Sequence, residues 1–368
     1  NNFKVNFSDN GIINIPYVSM GANYPDVSWQ KTTMKNIGLD FYLLSDRISG
    51  SFDFFRNDIT RLLGYASTSP LAIYETRPIN GGHYYRRGWE LMVDTKNLVG
   101  EFTWDTSLTF SKTNSFWKER LPNYDYQIYQ QRENEPMSAY YYYNVTGIIN
   151  TDRSNMPESQ KTLQAEAQLP GCPIIEDKNK DGKIDENDVY MKDNSPAIYV
   201  GIGNTFTYKR FEFSFFMYGQ FGIQKYNIAY SAAQAGPLAV DYPENSNKFA
   251  YRLWNSQTNP NGSRPGLAIG KMGALPGNAW VNADRENASF MRMRNITLAY
   301  NLAGNILGSL QRYVRNIKVY VDAQNPFILT KFQGFDPEIY TGGGGASGGS
   351  RGEYPQTRTF SLGVNITF

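Results

Sequence analysis

The 368 residues include 27 Tyr, 22 Phe and 33 Gly, and their formal charge is +2. Aromatic residues favour strands, so the composition predicts an all-β fold. Scattered Lys and Arg residues give no sign of a nucleic-acid partner. One cysteine, Cys172, and one histidine, His83, exclude an internal disulfide and a Cys/His zinc site.

Alternating apolar and small or polar residues recur along the chain, which is the pattern of half-buried strands. At the carboxyl end, every second residue from Phe360 to Phe368 is apolar, and Ser, Gly, Asn and Thr stand between them. The pattern predicts nine strands, in chain order at about 35–45, 48–60, 83–95, 101–113, 196–208, 211–223, 289–302, 316–329 and 357–368.

A soluble β-sandwich shows the same alternation, but the predicted strands are longer than usual and match the ~9 to 11 residues that cross a bilayer at a tilt. Aromatic residues crowd the strand ends, for example at Phe41, Tyr208, Phe211 and Tyr300. Short and long connections alternate, as in outer-membrane barrels. No apolar run reaches the ~18 residues of a transmembrane helix. We therefore predict a transmembrane antiparallel β-barrel segment.

Tight turns are predicted at 45–48, 95–101 and 209–210, and a slightly longer one at 303–315. The long loops are predicted at 61–82, 114–195, 224–288 and 330–356. Ending on Phe368 places the carboxyl terminus in the periplasm and the long loops outside the cell. In domain terms, residues 1–34 form an extracellular loop region and 35–368 the carboxyl-terminal part of a barrel.

Nine strands in an open sheet would leave two edges in lipid, where unpaired backbone groups are costly. The sequence also begins in apparent loop sequence and without a signal peptide. We interpret the chain as part of a larger barrel that is truncated or cleaved upstream.

One acidic stretch, DKNKDGKIDENDVY at 177–190, has the oxygen spacing of an EF-hand calcium loop, with Gly182 sixth and Ile184 eighth. A strand follows within ten residues, which excludes a helix-pair calcium sensor. A structural Ca²⁺ site remains, and the alternative is a solvated linker that binds nothing. The predicted ligands are Asp177, Asn179, Asp181, the Lys183 carbonyl, Asp185 and Asp188.

Two tyrosine-rich segments, at 116–131 and 138–147, have the composition of platforms that stack on sugars or grip peptides. We predict instead that they pack against neighbouring loops. No constellation of nucleophile, base and orienting residue stands out in the sequence, so we do not expect an enzyme.

Several blocks resemble one family in the expected order. They are YPDVSWQKTTMKNIGLDFYLLSDRISGSFDFF at 24–55, RRGWELMVDTKN at 86–97, the acidic stretch, IYVGIGNTFTYKRFEFSFFMYGQFG at 198–222 and FMRMRNITLAYNL at 290–302. Together they are similar to the SusC/RagA family of TonB-dependent outer-membrane transporters of Bacteroidetes. Tyr24 departs from the Asn that the family usually has before the proline. We find no plug domain and no TonB box in the sequence.

The resemblance implies about nine strands of a 22-stranded barrel. It also implies import of a large nutrient with a SusD-like surface lipoprotein, and coupling to TonB through a plug region that this sequence lacks. A glycan is the first choice of substrate and an oligopeptide the second. Two alternatives remain: a structural or secretion-associated barrel that imports nothing, and a soluble Ca²⁺-binding β-sandwich.

Overall fold

The computed structural model describes a defined set of residues, namely 6–7, 13–14, 24, 26–67, 76–122, 126–130, 133–195, 198–227, 252–266, 275–283, 285–303, 307–309, 312–334, 336–338 and 356–368. Over these ranges the fold is all-β, with short 3-10 turns and no α-helix. None of the helical turns in them is long and apolar enough to cross a membrane.

Nine long strands form one antiparallel sheet in which each strand pairs with the next in the chain. The strands are β1 (Lys31–Leu43), β2 (Ile48–Ser67), β3 (Thr76–Leu98), β4 (Phe102–Glu119), β5 (Ile198–Tyr208), β6 (Phe211–Phe221), β7 (Phe290–Ala303), β8 (Asn316–Gln324) and β9 (Thr359–Thr367). A short strand, Ile328–Thr330, also pairs with β7. All nine predicted strands are confirmed.

The first four strands are longer than predicted, and the loop assigned to 61–82 is therefore wrong at both of its ends. Pairing of β2 with β3 continues from Leu62 opposite Gly81 to Ser67 opposite Thr76. Glycines and Pro78 interrupt the alternation there, but the backbone pairing across the hairpin tolerates them. Residues 114–119, also assigned to a loop, continue β4, and 31–34 begin β1.

The eighth strand is shorter than predicted and ends at Gln324 instead of residue 329. Asn325 adopts the left-handed conformation, with φ of 49°, which redirects the chain. The following residues then pair with β7 at Ile328–Thr330. In the predicted turn at 303–315, a 3-10 turn lies at 307–309.

One face of the sheet is apolar and exposed. On β9, Leu362 is 76% exposed and Val364 is 55% exposed. The apolar residues of neighbouring strands lie opposite one another, so the face is continuous. Val364 lies opposite Val319, and Val321 lies opposite both Leu362 and Leu298. We call it the apolar face.

The opposite, polar face carries charged and hydroxyl side chains that contact one another. Nζ of Lys318 lies 3.0 Å from Oε1 of Glu212, and the Thr297 hydroxyl donates to Asp322 at 2.9 Å. Asn365 lies opposite Lys318 on this face. The two faces therefore differ as the alternation predicts.

Between β4 and β5 the chain forms a folded unit, which we call the loop module: residues 126–195 as far as they are described, together with 275–281. Its central strand, Ala139–Tyr143, pairs with Tyr190–Asp193 and, in parallel, with Trp280–Val281. Its buried core consists of Tyr129, Tyr143, Ile149, Leu163, Ala167, Cys172, Ile174, Ile175, Ile184, Val189, Leu275 and Ala279. The predicted long loop at 114–195 thus folds around a hydrophobic core, which Leu275 and Ala279 from the predicted loop at 224–288 complete.

The remaining elements of the described residues are short. The loop module also contains the strand pair Val145–Ile148 and Pro173–Ile175, and the 3-10 turns Ile128–Gln130, Glu158–Thr162, Ala165–Gln168, Glu186–Asp188 and Pro276–Asn278. Two further strand pairs are Asn6–Phe7 with Ile13–Asn14 and Gln224–Tyr226 with Arg285–Asn287.

Candidate functional site

The first half of the acidic stretch is an exposed turn whose side chains accept hydrogen bonds from its own backbone. Asp177 accepts from the N–H of Gly182 at 2.9 Å, and Asn179 accepts from the N–H of Asp181 at 3.1 Å. Asp181 in turn accepts from the N–H of Lys183 at 3.0 Å. Gly182 has φ of 87°, which explains the glycine at the sixth position.

The second half of the stretch is anchored in the loop module. Ile184 is 3% exposed and belongs to the core. Asp185 accepts from the N–H of Asn187 at 2.8 Å and caps the turn Glu186–Asp188. The Tyr143 hydroxyl donates to the Asp185 carbonyl at 3.1 Å. Burial raises the pKa of Tyr143, so this hydroxyl stays protonated as a donor.

Asp188 is fully buried, and both of its carboxylate oxygens already accept backbone hydrogen bonds. The N–H of Lys178 donates to Oδ1 at 2.9 Å, and the N–H of Asp185 donates to Oδ2 at 2.8 Å. Over the described ranges, no three His, Cys, Asp or Glu side chains are grouped as they would be around a metal ion. The structure therefore places Asp188 as a cap, and Ca²⁺ binding by the six predicted residues stays a prediction.

Some tyrosines of the module lie in its core, and others lie at its surface. Tyr143 and Tyr129 lie in the core, as the packing prediction requires. Tyr140, Tyr142 and Tyr190 instead form a partly exposed stack, with ring centroids 5.2 Å and 5.7 Å apart. Two cations lie against the ends of this stack.

These cations are the guanidinium of Arg285, 3.7 Å from the Tyr140 ring centroid, and the ammonium of Lys178, 4.7 Å from that of Tyr190. Burial lowers the pKa of Arg285. Because cation–π contacts strengthen as water is excluded, the two cations hold the stack in place.

A polar cavity of about 690 Å³ opens beside the module, and sequence analysis missed it. Its walls come from three chain segments, 145–155, 254–265 and 282–283. Amides and an indole face it, chiefly Asn150, Asn155, Trp254, Asn261 and Asn282. No sequence pattern indicates the cavity, because its segments meet only after folding.

The cavity wall is held together by side-chain hydrogen bonds. Asn282 accepts from the N–H of Val145 at 3.0 Å and donates to Asn144 at 2.7 Å. Arg264 pairs with Glu286 at 2.9 Å. The two bonds of Asn282 connect segments more than 100 residues apart in sequence, so this part of the wall is preformed.

No family model matches the chain. The TonB-dependent receptor SusC of Bacteroides thetaiotaomicron is 28% identical over 352 residues, which cover 93% of this chain and 32% of that protein. The TonB-dependent receptor P3 of Formosa agariphila is 25% identical over 363 residues, which cover 93% of this chain and 34% of that protein.

Two solved structures share the fold. The RagAB peptide transporter aligns with a TM-score of 0.71 and 20% identity, covering 99% of this chain and 38% of that chain. The RagAB peptide importer in its closed-closed state aligns with a TM-score of 0.70 and 18% identity, again over 99% and 38%.

The chain thus spans about a third of the length of the relatives that it matches. The sequence relatives and the solved structures each match nearly all of this chain. The predicted resemblance is therefore confirmed: nearly the whole chain is similar in sequence to part of TonB-dependent receptors that include SusC, and in fold to part of the RagAB transporter.

Proposed function

We propose that the nine-stranded sheet is part of an outer-membrane β-barrel that imports a large nutrient with energy supplied through TonB. The observation that carries this proposal is the continuous apolar face. Contact with water would cost exposed side chains such as Leu362 and Val364 about 25 cal/mol per Å² of apolar area. Contact with lipid avoids this cost, because the acyl chains are apolar as well.

The strand ends support a bilayer placement. Phe211 and Tyr300 pack together with ring centroids 4.7 Å apart beside the β5–β6 turn. Aromatic rings at such ends favour the lipid–water interface. Since β1 and β9 lie at the two edges of the sheet, further strands would close the barrel.

A glycan is the substrate that we propose first. The cavity beside the loop module has a volume within the range of ligand sites, and its amides are suited to sugar hydroxyls. Trp254 supplies a flat apolar wall against which a sugar ring can stack. The second candidate is an oligopeptide, because the neighbouring solved structures are those of a peptide importer.

Growth of a deletion strain on defined glycans and on oligopeptides tests the proposal. Loss of growth on one substrate class, restored by the wild-type gene, supports import of that class. Complementation with Asn261→Trp, which would fill the cavity, should fail. Glu158→Ala, on an exposed turn outside the cavity wall, is the matched control and should restore growth.

Unchanged growth of the deletion strain on every substrate would favour the alternative, a structural or secretion-associated barrel. The sequence relatives are named as receptors, and we propose no catalytic activity for the chain. Extraction of the protein without detergent would instead support a soluble β-sandwich and contradict the membrane placement.

We also propose a SusD-like surface lipoprotein as partner, docking on the loop module at the extracellular side. The module suits this role because it is a folded unit with its own core, which a docking surface requires. Coupling to TonB would come through a plug region outside this sequence. With the loop module at the extracellular side, the carboxyl terminus would lie in the periplasm.

Calcium is the ligand that we propose for the acidic stretch. The alternation of Asp177, Asn179 and Asp181 and the left-handed Gly182 support it, since EF-hand loops share both features. Asp188 is already satisfied by backbone donors, so bidentate ligation by its carboxylate would require a rearrangement.

A further inference from the structure

Three cationic side chains lie side by side across the first three strands. Lys35 on β1 is opposite Arg56 on β2, and Arg56 is opposite Arg87 on β3. Like charges directly opposite each other destabilise a sheet pair. Two such like-charge pairs occur in this one row. A bound anion would relieve their repulsion, so the row is a favourable position for an anion.

The row lies on the apolar face, at the edge of its hydrophobic part. The neighbouring row on that face contains Ile37, Phe54 and Trp89, which are register partners. Lys112 on β4 lies opposite Trp89 and adds a fourth cation beside the row. Two residues along a strand cover roughly 7 Å, so the cations lie just beyond the apolar side chains.

The end of the sheet that carries this row is the one opposite the tight β1–β2 turn. That turn spans residues 44–47, and Lys35 and Arg56 each lie nine residues along their strands from it (44 to 35 and 47 to 56), about 30 Å at roughly 3.3 Å per residue. Strands β2 and β3 continue beyond the row. In the proposed membrane orientation this is the extracellular end. The row then lies at the depth of the lipid headgroups in the outer leaflet.

Aromatic rings orient two of the guanidinium groups. Arg56 lies 4.4 Å from the ring centroid of Tyr85, and Arg87 lies 5.2 Å from that of Phe116. These contacts hold the planar groups in place and lower the entropy lost when an anion binds.

The nearby carboxylate of Asp58 neutralises only part of the positive charge of the row. Asp58 pairs with Arg56 at 3.0 Å and also contacts His83 at 3.2 Å. Lys35, Arg87 and Lys112 form no ion pair with any residue that the structure describes. Lys35 and Arg87 are exposed on the surface.

We propose that Lys35, Arg56, Arg87 and Lys112 form a site for the phosphate groups of a phosphorylated membrane lipid. Guanidinium groups match phosphate oxygens in bidentate geometry, and lysine adds a mobile charge. The apolar row containing Phe54 and Trp89 would contact the acyl chains of the same lipid. This inference rests on the membrane placement proposed above.

The test compares the complete protein with the double variant Lys35→Gln, Arg87→Gln in nanodiscs of phosphatidylcholine with and without phosphatidic acid. Native mass spectrometry counts the retained phosphatidic acid molecules, and titration gives their apparent affinity. Each basic residue near a charged membrane surface strengthens binding roughly fivefold. The double variant, which lacks two of them, should therefore bind phosphatidic acid about 25-fold more weakly.

The matched control is Arg86→Gln. Arg86 is adjacent in sequence and exposed, but its register partner is Asn57 and it lies on the polar face. It should retain wild-type lipid binding. Equal loss in the control and the double variant would show a general charge effect and overturn the site.

A second arm uses inorganic phosphate without lipid. Equally tight binding of inorganic phosphate by the wild-type protein would overturn the assignment to a lipid. Normal insertion of the double variant with unchanged lipid retention would also overturn the site while leaving the import proposal intact. Failure of the wild-type protein to insert into any nanodisc would contradict both proposals.

Discussion

Asp188 accepts a hydrogen bond from the backbone N–H of Asp185 at 2.8 Å, and Asp185 caps the same turn through its own carboxylate. The two residues form a reciprocal capping box inside the loop module. The last acid of an apparent calcium loop therefore has a folding role whether or not an ion binds.

Asp188→Ala should destabilise the loop module by about 1 to 3 kcal/mol, because the N–H groups of Lys178 and Asp185 lose their buried acceptor. The expected result is faster hydrogen exchange across 160–195, with or without calcium. Unchanged exchange would show that the carboxylate is replaced by water at no cost.

Calcium binding makes a different prediction for a variant that removes one acid from each half of the stretch. Asp181→Ala combined with Asp185→Ala should loosen residues 160–195 and weaken lipoprotein docking, while the long strands stay folded. If Ca²⁺ is bound, with oxygens at about 2.3 to 2.6 Å, a chelator should have the same effect on the wild-type protein.

The single variant Asp181→Ala separates the ion from the cap, because Asp181 is exposed and outside the capping box. It should abolish the response to the chelator and leave the capped turn ordered. If the hydrogen exchange of the wild-type protein is the same with calcium and with chelator, the stretch does not bind Ca²⁺ and is a linker.

The last strand offers a direct test of the lipid-facing side. Val364→Arg should cost about 2 to 4 kcal/mol if the side chain lies near the bilayer midplane. Asn365→Arg is the control, because Asn365 lies opposite Lys318 on the polar face. Denaturant titration of the protein in lipid measures both, and equal effects would count against a barrel.

Topology can be measured by cysteine labelling in intact cells. A cysteine at Lys209, in the tight β5–β6 turn, should resist an impermeant thiol reagent because that turn is predicted to be periplasmic. Glu158→Cys, on an exposed turn of the loop module, should react. A cysteine at Ser347, in the long loop predicted at 330–356, should react as well, but Ser347 lies outside the described residues. The reverse labelling pattern would overturn the orientation.

The native thiol should not interfere with that experiment. Cys172 is fully buried, and burial raises its pKa to about 11, so it stays protonated and unreactive at pH 8. Because the unfolded thiol ionises first, the loop module should lose stability, on the order of 2 kcal/mol, as the pH rises from about 9 to 11. Cys172→Ala should reduce this pH dependence without removing it, because burial also raises the pKa of Tyr143 in the same core. Thermal melts of both proteins at pH 8 and 10.5 would measure the difference.

Most of the strand positions follow from local sequence. Alternation with period two is local information, so Phe360 to Phe368 indicates a strand with one apolar side before any partner is known. The tight turns, the all-β class and the family resemblance follow from the same local blocks. Where glycine and proline break the alternation, as around Pro78, local information fails and pairing across the hairpin decides.

Tertiary structure alone decided the rest, because contacts between distant segments leave no local pattern. The cavity wall joins Asn282 to Val145, and the loop-module core joins Leu275 to Tyr143, across more than 100 residues. Asp188 matched a calcium ligand in spacing, yet burial among backbone donors made it a cap. Likewise, only the strand register places Lys35, Arg56 and Arg87 in one row, since register sets which side chains become neighbours across a sheet.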